Sequence, residues 1–211
     1  KEKEMDTTLQ QGLTTNNYTS VLEGEITQAI ANIKTKEADY EKAICVTLEG
    51  TKATITSIGS VQSKVELGET ATNGLSLVES VLRIETAGDY VLQGQFDGQV
   101  QIDADKEDKV HLILNGVSIS CDYSSAIYGV QSDRIYITLA EGTVNEVSDG
   151  AVYSYEEEGQ DEPNAAIFSK DDLTFDGTGT LVVKGNYGDG IRSKDDLAIV
   201  DGTYEVEAVK D

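Results

Sequence analysis

The sequence predicts an all-β fold, and within that class a parallel β-helix, from three observations. From about Ala43 onward, short segments of roughly four to seven residues alternate between apolar and polar side chains and end at Gly, Asp or Asn. No clear helical pattern interrupts these segments. The pentapeptide SKDDL occurs twice, at Ser169–Leu173 and Ser193–Leu197, 24 positions apart. A unit of roughly 22–24 residues that holds three short strands has the size of one coil of such a solenoid.

The first 42 residues differ from the rest and are predicted to form an N-terminal arm or cap segment. The stretch TTLQQGLTTNNYTS is polar and typical of a loop. Apolar residues between Val21 and Ile33 fall near helical spacing, which favours a short helix, with an irregular strand as the alternative. We therefore divide the chain into this segment, residues 1–42, and a β-helix domain, residues 43–211.

The repeated units predict which residues stack on one another. When the two SKDDL copies are aligned, the apolar positions around them coincide, and an upstream segment fits the same frame if two extra residues are allowed. An acidic insertion, roughly residues 151–163, separates the upstream unit from the next one. Two columns of inward-facing side chains are predicted: Ile127, Ile167 and Ile191 in one, and Ile135, Leu173 and Leu197 in the other.

Turns between the strands are predicted at Asp176–Gly177 and Asp201–Gly202, because glycine adopts positive φ angles without strain. The sequence stops at Asp211, near the point where another coil would begin. A final coil without a cover would expose its strand edges, which natural solenoids cap. We therefore expect the natural protein to continue beyond this residue.

The charge of the chain excludes two classes of partner. The chain has 39 acidic and 16 basic residues, for a formal net charge of −23. Such a field repels nucleic acids and anionic membranes and attracts cations, although it also serves solubility alone. No segment approaches the ~20 apolar residues of a membrane-spanning helix, so membrane insertion is not expected.

The cysteine and histidine residues give little information about disulfides, metal sites or catalysis. Cys45 and Cys121 are too few for a disulfide scaffold, and their spacing matches no metal motif. One disulfide is possible, but two buried free thiols are favoured. His111 is the only histidine, and strand alternation points it away from Val110 and Leu112, so we expect it to be solvated. Any catalytic scheme that needs a histidine has only this candidate.

The repeated aspartates predict a calcium site. In stacked coils Asp171 lies over Asp195 and Asp172 over Asp196, and like charges in such register repel each other. Lys170 and Lys194 could relieve the repulsion, the aspartates could simply cap turns, or calcium, which takes oxygen ligands, could bind between them. We favour calcium. The candidate metal ligands are Asp149, Asp171, Asp172, Asp189, Asp195, Asp196 and Asp211.

The outer face of the same coils predicts a polysaccharide-binding strip. Aromatic rings stack on sugar rings, and Lys or Arg binds carboxylates. An ordinary solvated sheet face is the alternative. The candidate substrate-binding residues are Tyr128, Phe168, Lys170, Tyr187, Arg192 and Lys194.

Four segments together carry a family resemblance: KVHLILNGVSIS, ITLAEGT, DEPNAAIFSKDDLTFDGTGTLVV and DGIRSKDDLAI. They resemble a family of secreted bacterial carbohydrate-binding domain proteins whose right-handed parallel β-helix is related in shape to pectate lyases. The resemblance covers the chain from roughly Ala43 to its end. It implies an extracellular or cell-surface protein that binds calcium and a polysaccharide, either cellulose or an acidic glycan such as polygalacturonate.

We therefore expect a monomeric polysaccharide-binding protein with calcium at the stacked aspartates. One alternative is a calcium-dependent polysaccharide lyase, in which Lys170, Arg192 or Lys194 would act as the base, as the lyase relatives use such a residue. A second alternative is a cell-surface adhesin or spacer that binds no glycan. Because a fold does not carry an activity with it, the resemblance supports binding more than cleavage.

Overall fold

A computed structural model describes residues 39–155 and 159–210. The predicted N-terminal arm and its helix therefore lie outside the described residues, except for residues 39–42. The described residues form β-strands and turns, which confirms the predicted all-β class. Among them no helix is long and apolar enough to cross a membrane. The strands are β1 (Ile44–Gly50), β2 (Lys52–Ile58), β3 (Val61–Glu66), β4 (Leu75–Val78), β5 (Val81–Ile84), β6 (Gly88–Asp97), β7 (Gln99–Asp103), β8 (Lys109–Ser120), β9 (Ile127–Gln131), β10 (Arg134–Leu139), β11 (Val144–Ser148), β12 (Ala165–Ser169), β13 (Asp172–Gly177), β14 (Thr180–Gly185), β15 (Asp189–Ser193), β16 (Leu197–Ile199) and β17 (Thr203–Ala208).

The strands form two open sheets. The smaller sheet has six strands in the order β15-β12-β9-β7-β5-β4, and all of its pairs are parallel except β4 with β5. We call its parallel strands the first stack. The larger sheet has eleven strands. At one end of it, β1, β2 and β3 pair in antiparallel fashion, and β1 joins β6 in parallel.

The rest of the larger sheet contains two parallel stacks that share their longest strands. The second stack consists of the first halves of β6 and β8 followed by β10, β13 and β16. The third stack consists of the second halves of β6 and β8 followed by β11, β14 and β17. Three consecutive strands, such as β12, β13 and β14, therefore lie in three different stacks, and the next strand returns to the first.

The predicted columns of the core are confirmed by the strand register. Ile167 pairs with Ile127 on one side and with Ile191 on the other. Leu173 lies in the same way between two neighbours, Ile135 and Leu197. One hydrophobic cluster contains buried residues from all three stacks. Burial of these apolar columns, at roughly 25 cal/mol per Å² of apolar surface, is the main favourable term that holds the stacks together.

The last unit is more open than the units before it. Leu197 and Ile199, which continue two buried columns of the second stack, are 45% and 54% exposed. Val206 of the third stack is 47% exposed and pairs with the fully buried Val183. These side chains have a strand on only one side within the described residues.

The structure describes both predicted glycine corners and both cysteines. Gly177 has a φ of 87° and Gly202 a φ of 111°, which confirms the predicted glycine corners. Cys45 and Cys121 are both free thiols, the first half-buried and the second buried. Burial raises the pKa of the Cys121 thiol, so the thiol is in its neutral form.

Candidate functional site

Three of the six predicted strip residues lie in one line across the first stack. Phe168 is the lateral neighbour of Tyr128 on one side and of Arg192 on the other. The line continues to Gln101 and Arg83 on the two preceding strands. We call these five side chains, one from each strand, the ladder. Neighbouring members are separated by the inter-strand distance of ~4.8 Å.

The two aromatic members of the ladder are buried, whereas its two arginines are exposed, and the predicted role of the strip in binding stays a prediction. Phe168 is 1% exposed and Tyr128 only 9%. The acidic insertion reaches both sides of β12. Its Glu162 accepts a hydrogen bond from Lys194 Nζ at 2.9 Å, directly after β15, while its Pro163 lines a cavity together with Tyr128 of β9. Since β12 lies between those two strands, we infer that the insertion passes over the outer face of β12, where Phe168 is buried.

The three predicted cations lie around this covered region. Lys170 Nζ is 5.7 Å from the centre of the Tyr128 ring. Arg192 is paired with Asp189 at 3.2 Å, and Lys194 forms the ion pair with the insertion. Two of the three candidate bases of a lyase, Arg192 and Lys194, are therefore paired with carboxylates. Neither of them lines the groove beside Tyr128 that is described next. Their roles in substrate binding stay predictions.

A groove of about 560 Å³ occupies the open part of the first stack. This volume falls within the ~300–1,000 Å³ of typical small-ligand sites. Its floor comes from β5, β7 and β9, and contains the Arg83, Gln101 and Tyr128 members of the ladder. The turn before β5, the residues before β9 and the insertion form its walls. Residues representative of these walls are Glu79, Ser80, Tyr123, Ser154, Tyr155 and Pro163.

Two half-buried tyrosines supply most of the aromatic surface in the groove. The hydroxyl groups of Tyr123 and Ser80 are hydrogen-bonded at 3.2 Å, and Tyr155 donates its hydroxyl proton to the Pro163 carbonyl at 3.0 Å. Burial is the main reason that the pKa of both phenols lies above its ordinary value. Both phenols are therefore protonated at neutral pH, and their rings are held in fixed orientations.

The groove is polar without a dominant charge. Its two charged side chains, Arg83 and Glu79, have opposite signs. Three glutamine amides also line it. The amide of Gln99 is fixed because it donates to the Ser125 carbonyl at 2.9 Å. Amides both donate and accept hydrogen bonds, and tyrosine rings offer flat apolar faces. This combination matches the hydroxyl groups and apolar ring faces of sugars.

Tyr187, the remaining predicted binding residue, lies next to the groove and not in it. Its ring stacks on Tyr153 with a centroid distance of 4.2 Å and meets Tyr155 edge-on at 6.3 Å. Lys210 Nζ lies 5.7 Å from its centre. Tyr187 therefore supports the groove residue Tyr155 from behind.

The SKDDL copies stack as predicted, but their aspartates are engaged within the fold. An Asp171 carboxylate oxygen accepts from the Ser132 backbone N–H at 2.9 Å. Asp172 forms an ion pair with Arg134 and accepts from the Asp196 backbone N–H at 3.2 Å. In each copy the serine hydroxyl also accepts from the N–H two residues later, at 3.2 Å. The motif thus builds a hydrogen-bonded corner in which the serine hydroxyls, and not the aspartates of the turn-capping alternative, make the local bonds.

Two of the other predicted metal ligands, Asp149 and Asp189, are also held by protein groups. Asp149 is buried and accepts hydrogen bonds from the Tyr153 hydroxyl at 2.6 Å and from the Asn186 backbone N–H. Asp189 is paired with Arg192, and Asp211 lies outside the described residues. Within ranges 39–155 and 159–210, no three His, Cys, Asp or Glu side chains come together as metal ligands. Calcium binding at these carboxylates stays a prediction.

His111 is buried, which corrects the expectation that it is solvated. It is 3% exposed although strand alternation points it away from the core. Its Nδ1 lies 2.9 Å from Asp89 Oδ1, and its Nε2 is hydrogen-bonded to Thr138 Oγ1. These partners come from β6 and β10, the strands on either side of β8 in the second stack. The sequence shows the alternation of β8 but not these lateral partners.

Comparison with known proteins identifies the family of this chain. A family model described as carbohydrate-binding domain-containing protein matches residues 78–211. This chain belongs to that family. The match includes most of the first stack and both SKDDL copies, and membership supports a carbohydrate-binding role for the domain.

One curated protein and one solved structure are similar to this carbohydrate-binding domain. A carbohydrate-binding domain-containing protein of Acetivibrio thermocellus is 35% identical over 158 residues, which are 72% of this chain and 55% of the relative. A solved structure of the polysaccharide lyase-like protein from C. thermocellum, a gadolinium derivative, is 31% identical with a TM-score of 0.69. That alignment covers 79% of this chain and 62% of the other. The chain thus spans about half the length of the first relative.

Sequence reasoning missed most of the groove in this carbohydrate-binding domain. Arg83 and Gln101 precede the recognisable repeat, so no alignment placed them beside Tyr128. Tyr123 follows a strand end and Tyr155 belongs to the insertion, where strand alternation gives no direction. One signal was present: VLRI and QVQID both place a long polar side chain at an outward position of a short strand.

Proposed function

We propose that this domain is a right-handed parallel β-helix that binds a polysaccharide in the groove on its first stack. The three parallel stacks and the 24-residue offset between Ile167 and Ile191 support the solenoid. The structural neighbour is described as polysaccharide lyase-like, which supports an architecture of this kind. Binding outside the cell, as the resemblance implies, is part of the same proposal.

The single observation that carries the binding proposal is the chemistry of the groove. Hydrogen bonds orient its tyrosine rings, and its glutamine amides form no ion pairs. Its volume suits a small ligand. A sugar could stack on Tyr123 or Tyr155 while its hydroxyl groups bond to Gln101 and Gln160. The ligand class is cellulose or an acidic glycan, and Arg83 is the groove cation that would meet a uronate carboxylate.

Isothermal titration calorimetry with the full chain tests this proposal. Cello-oligosaccharides and oligogalacturonides are titrated separately, with pull-down on insoluble cellulose as a second readout. We expect one of the two series to bind, and Gln101→Ala to weaken that binding about tenfold through lost hydrogen bonds. Gln95→Ala, an exposed glutamine of β6 outside the groove, is the matched control. If neither series binds, the spacer alternative replaces this proposal.

Calcium binding at the repeated aspartates stays a prediction. Asp195 and Asp196 are exposed and stack beside Asp171 and Asp172, which supports an ion held at the last corner, and calcium takes oxygen ligands of this kind. We expect a chelator to lower the melting temperature of the wild type, and Asp195→Asn to abolish that effect. An unchanged melting temperature in excess chelator would show that Arg134 and the backbone N–H groups suffice to neutralise the corner.

Cleavage is the second candidate, because the structural neighbour is described as lyase-like. A lyase would use calcium to acidify the proton beside a uronate carboxylate, and Lys170, Arg192 or Lys194 would remove it. Incubation with polygalacturonate and calcium, followed by ultraviolet absorbance of unsaturated products, separates cleavage from binding. We expect no product, because the candidate bases lie outside the groove.

A further inference from the structure

The ladder residues define the direction in which the groove runs across the strands. Arg83, Gln101 and Tyr128 are direct lateral neighbours on β5, β7 and β9. They therefore follow the stacking direction of the strands at ~4.8 Å intervals. This interval is close to the length of one hexose unit in an extended glycan. A glycan that lies along the stacking direction can present one sugar to each strand.

A side wall follows the same direction. Ser80 precedes β5 and Tyr123 precedes β9, and the hydrogen bond between their hydroxyl groups links the two ends of this wall. The wall borders the starts of all three floor strands, since Gln99 at the start of β7 also lines the groove. A chain that crossed the ladder at right angles would run into the wall. A chain along the stacking direction would lie against it.

The insertion closes one end of the groove. Beyond Tyr128 the next ladder member is Phe168, whose ring is 1% exposed. The pair between Glu162 and Lys194 holds the insertion over this strand. Arg192, the fifth member, is again exposed on the far side. A glycan on the first three members cannot continue along the ladder to the fifth.

From this geometry we propose that the groove binds the end of a single glycan chain. The terminal sugar lies beside Tyr128 and the insertion, and the next two lie over Gln101 and Arg83. The chain leaves at the open side near β4. This inference rests on the proposed function, and it adds that the domain recognises chain ends and not the flat surface of a crystalline polysaccharide.

The test uses the full chain and soluble oligosaccharides of two to six sugars from the series that binds. The affinity is expected to rise up to three sugars and then to level off, because three ladder members line the groove. The stoichiometry is expected to stay at one protein per glycan chain for longer soluble fragments. Several proteins bound to one chain, or an affinity that climbs steadily to six sugars, would overturn end recognition.

Two arginines of the same ladder provide a matched pair of variants. Arg83→Ala is expected to weaken binding at least tenfold if its guanidinium donates to the sugar. Arg192→Ala is expected to leave the affinity unchanged, because the insertion separates it from the groove. Both side chains are exposed, so both variants should keep the wild-type melting temperature.

The outcomes separate this inference from the proposed function. If no glycan binds to the wild type, the proposed function fails and the inference fails with it. If a glycan binds but Arg192→Ala weakens it as much as Arg83→Ala, the protein binds polysaccharide along the whole ladder, and only end recognition is overturned.

Discussion

Replacing Asn145 by alanine should cost more stability than any other single polar substitution that we consider. Asn145 is fully buried where β11 begins. Its Oδ1 accepts from the N–H groups of Gly116 and Val117 at 2.9 and 3.1 Å. Its Nδ2 donates to the Thr143 hydroxyl at 3.1 Å and to the Thr180 carbonyl at 3.2 Å. One amide thus ties β8, β11 and β14 together.

The expected loss follows from these four bonds. Each buried group left without a partner costs about 1–3 kcal/mol, and the cavity of the missing amide adds to this. We expect Asn145→Ala to reduce the free energy of unfolding by about 3–5 kcal/mol. A chain of this size loses roughly 2–4 °C per kcal/mol, so the melting temperature should fall by roughly 6–20 °C.

Urea unfolding followed by circular dichroism, together with calorimetric melting, measures the effect. Asn115→Ala is the control, because Asn115 is exposed and its only hydrogen bond, to Gln93 in the described residues, is 3.4 Å long. The control should change stability by less than about 0.5 kcal/mol. A loss below about 1 kcal/mol for Asn145→Ala would refute the role given to this corner.

Three other substitutions and conditions test the fold. Gly177→Ala should cost about 2–4 kcal/mol in urea unfolding, because φ is +87° and the new Cβ would lie 2.2 Å from the Leu139 carbonyl oxygen; a neutral effect would contradict this. Phe168→Ala should cost about 3–5 kcal/mol, since the ring is buried, whereas a solvated ring would cost almost nothing. Burial raises the pKa of Tyr204 to about 12, above the unfolded value of about 10, so its contribution to stability is present below pH ~10 and lost towards pH ~12. Tyr204→Phe should flatten the alkaline decline in melting temperature, and an identical decline in both proteins would count against it.

The repeat was the strongest source of correct predictions. Because SKDDL recurs, the alignment placed Ile167 over Ile191 and Leu173 over Leu197, and parallel pairing in the structure confirms both. A repeated sequence in a stacked fold supplies the long-range register directly. The same reasoning correctly aligned Phe168 with Arg192.

Exposure could not be predicted in the same way. A strand pattern tells which side of a sheet a residue faces, but it does not tell what lies above that side. Phe168 faces outward and is covered by the insertion, and His111 faces outward and is held by Asp89. Both errors arose because segments without periodicity, or partners on other strands, decide the burial of outward residues.

The acidic corners show a related limit. The proximity of Asp172 and Asp196 was inferred correctly from the register, yet the ion pair between Arg134, one strand earlier, and Asp172 was not. The alignment that stacks Ile135 on Leu173 also places Arg134 opposite Asp172, but only Lys170 and Lys194 were considered as partners of the aspartates. Relief of the charge by an arginine of the preceding unit was therefore not predicted.

The most direct test of the account is a crystal structure of the domain soaked with cellotriose or trigalacturonate. The account predicts sugar density over Arg83, Gln101 and Tyr128, with the terminal ring against the insertion. Density on the far side of the insertion, around Arg192 and Lys194, or a groove that stays empty while sugar binds elsewhere, would contradict it.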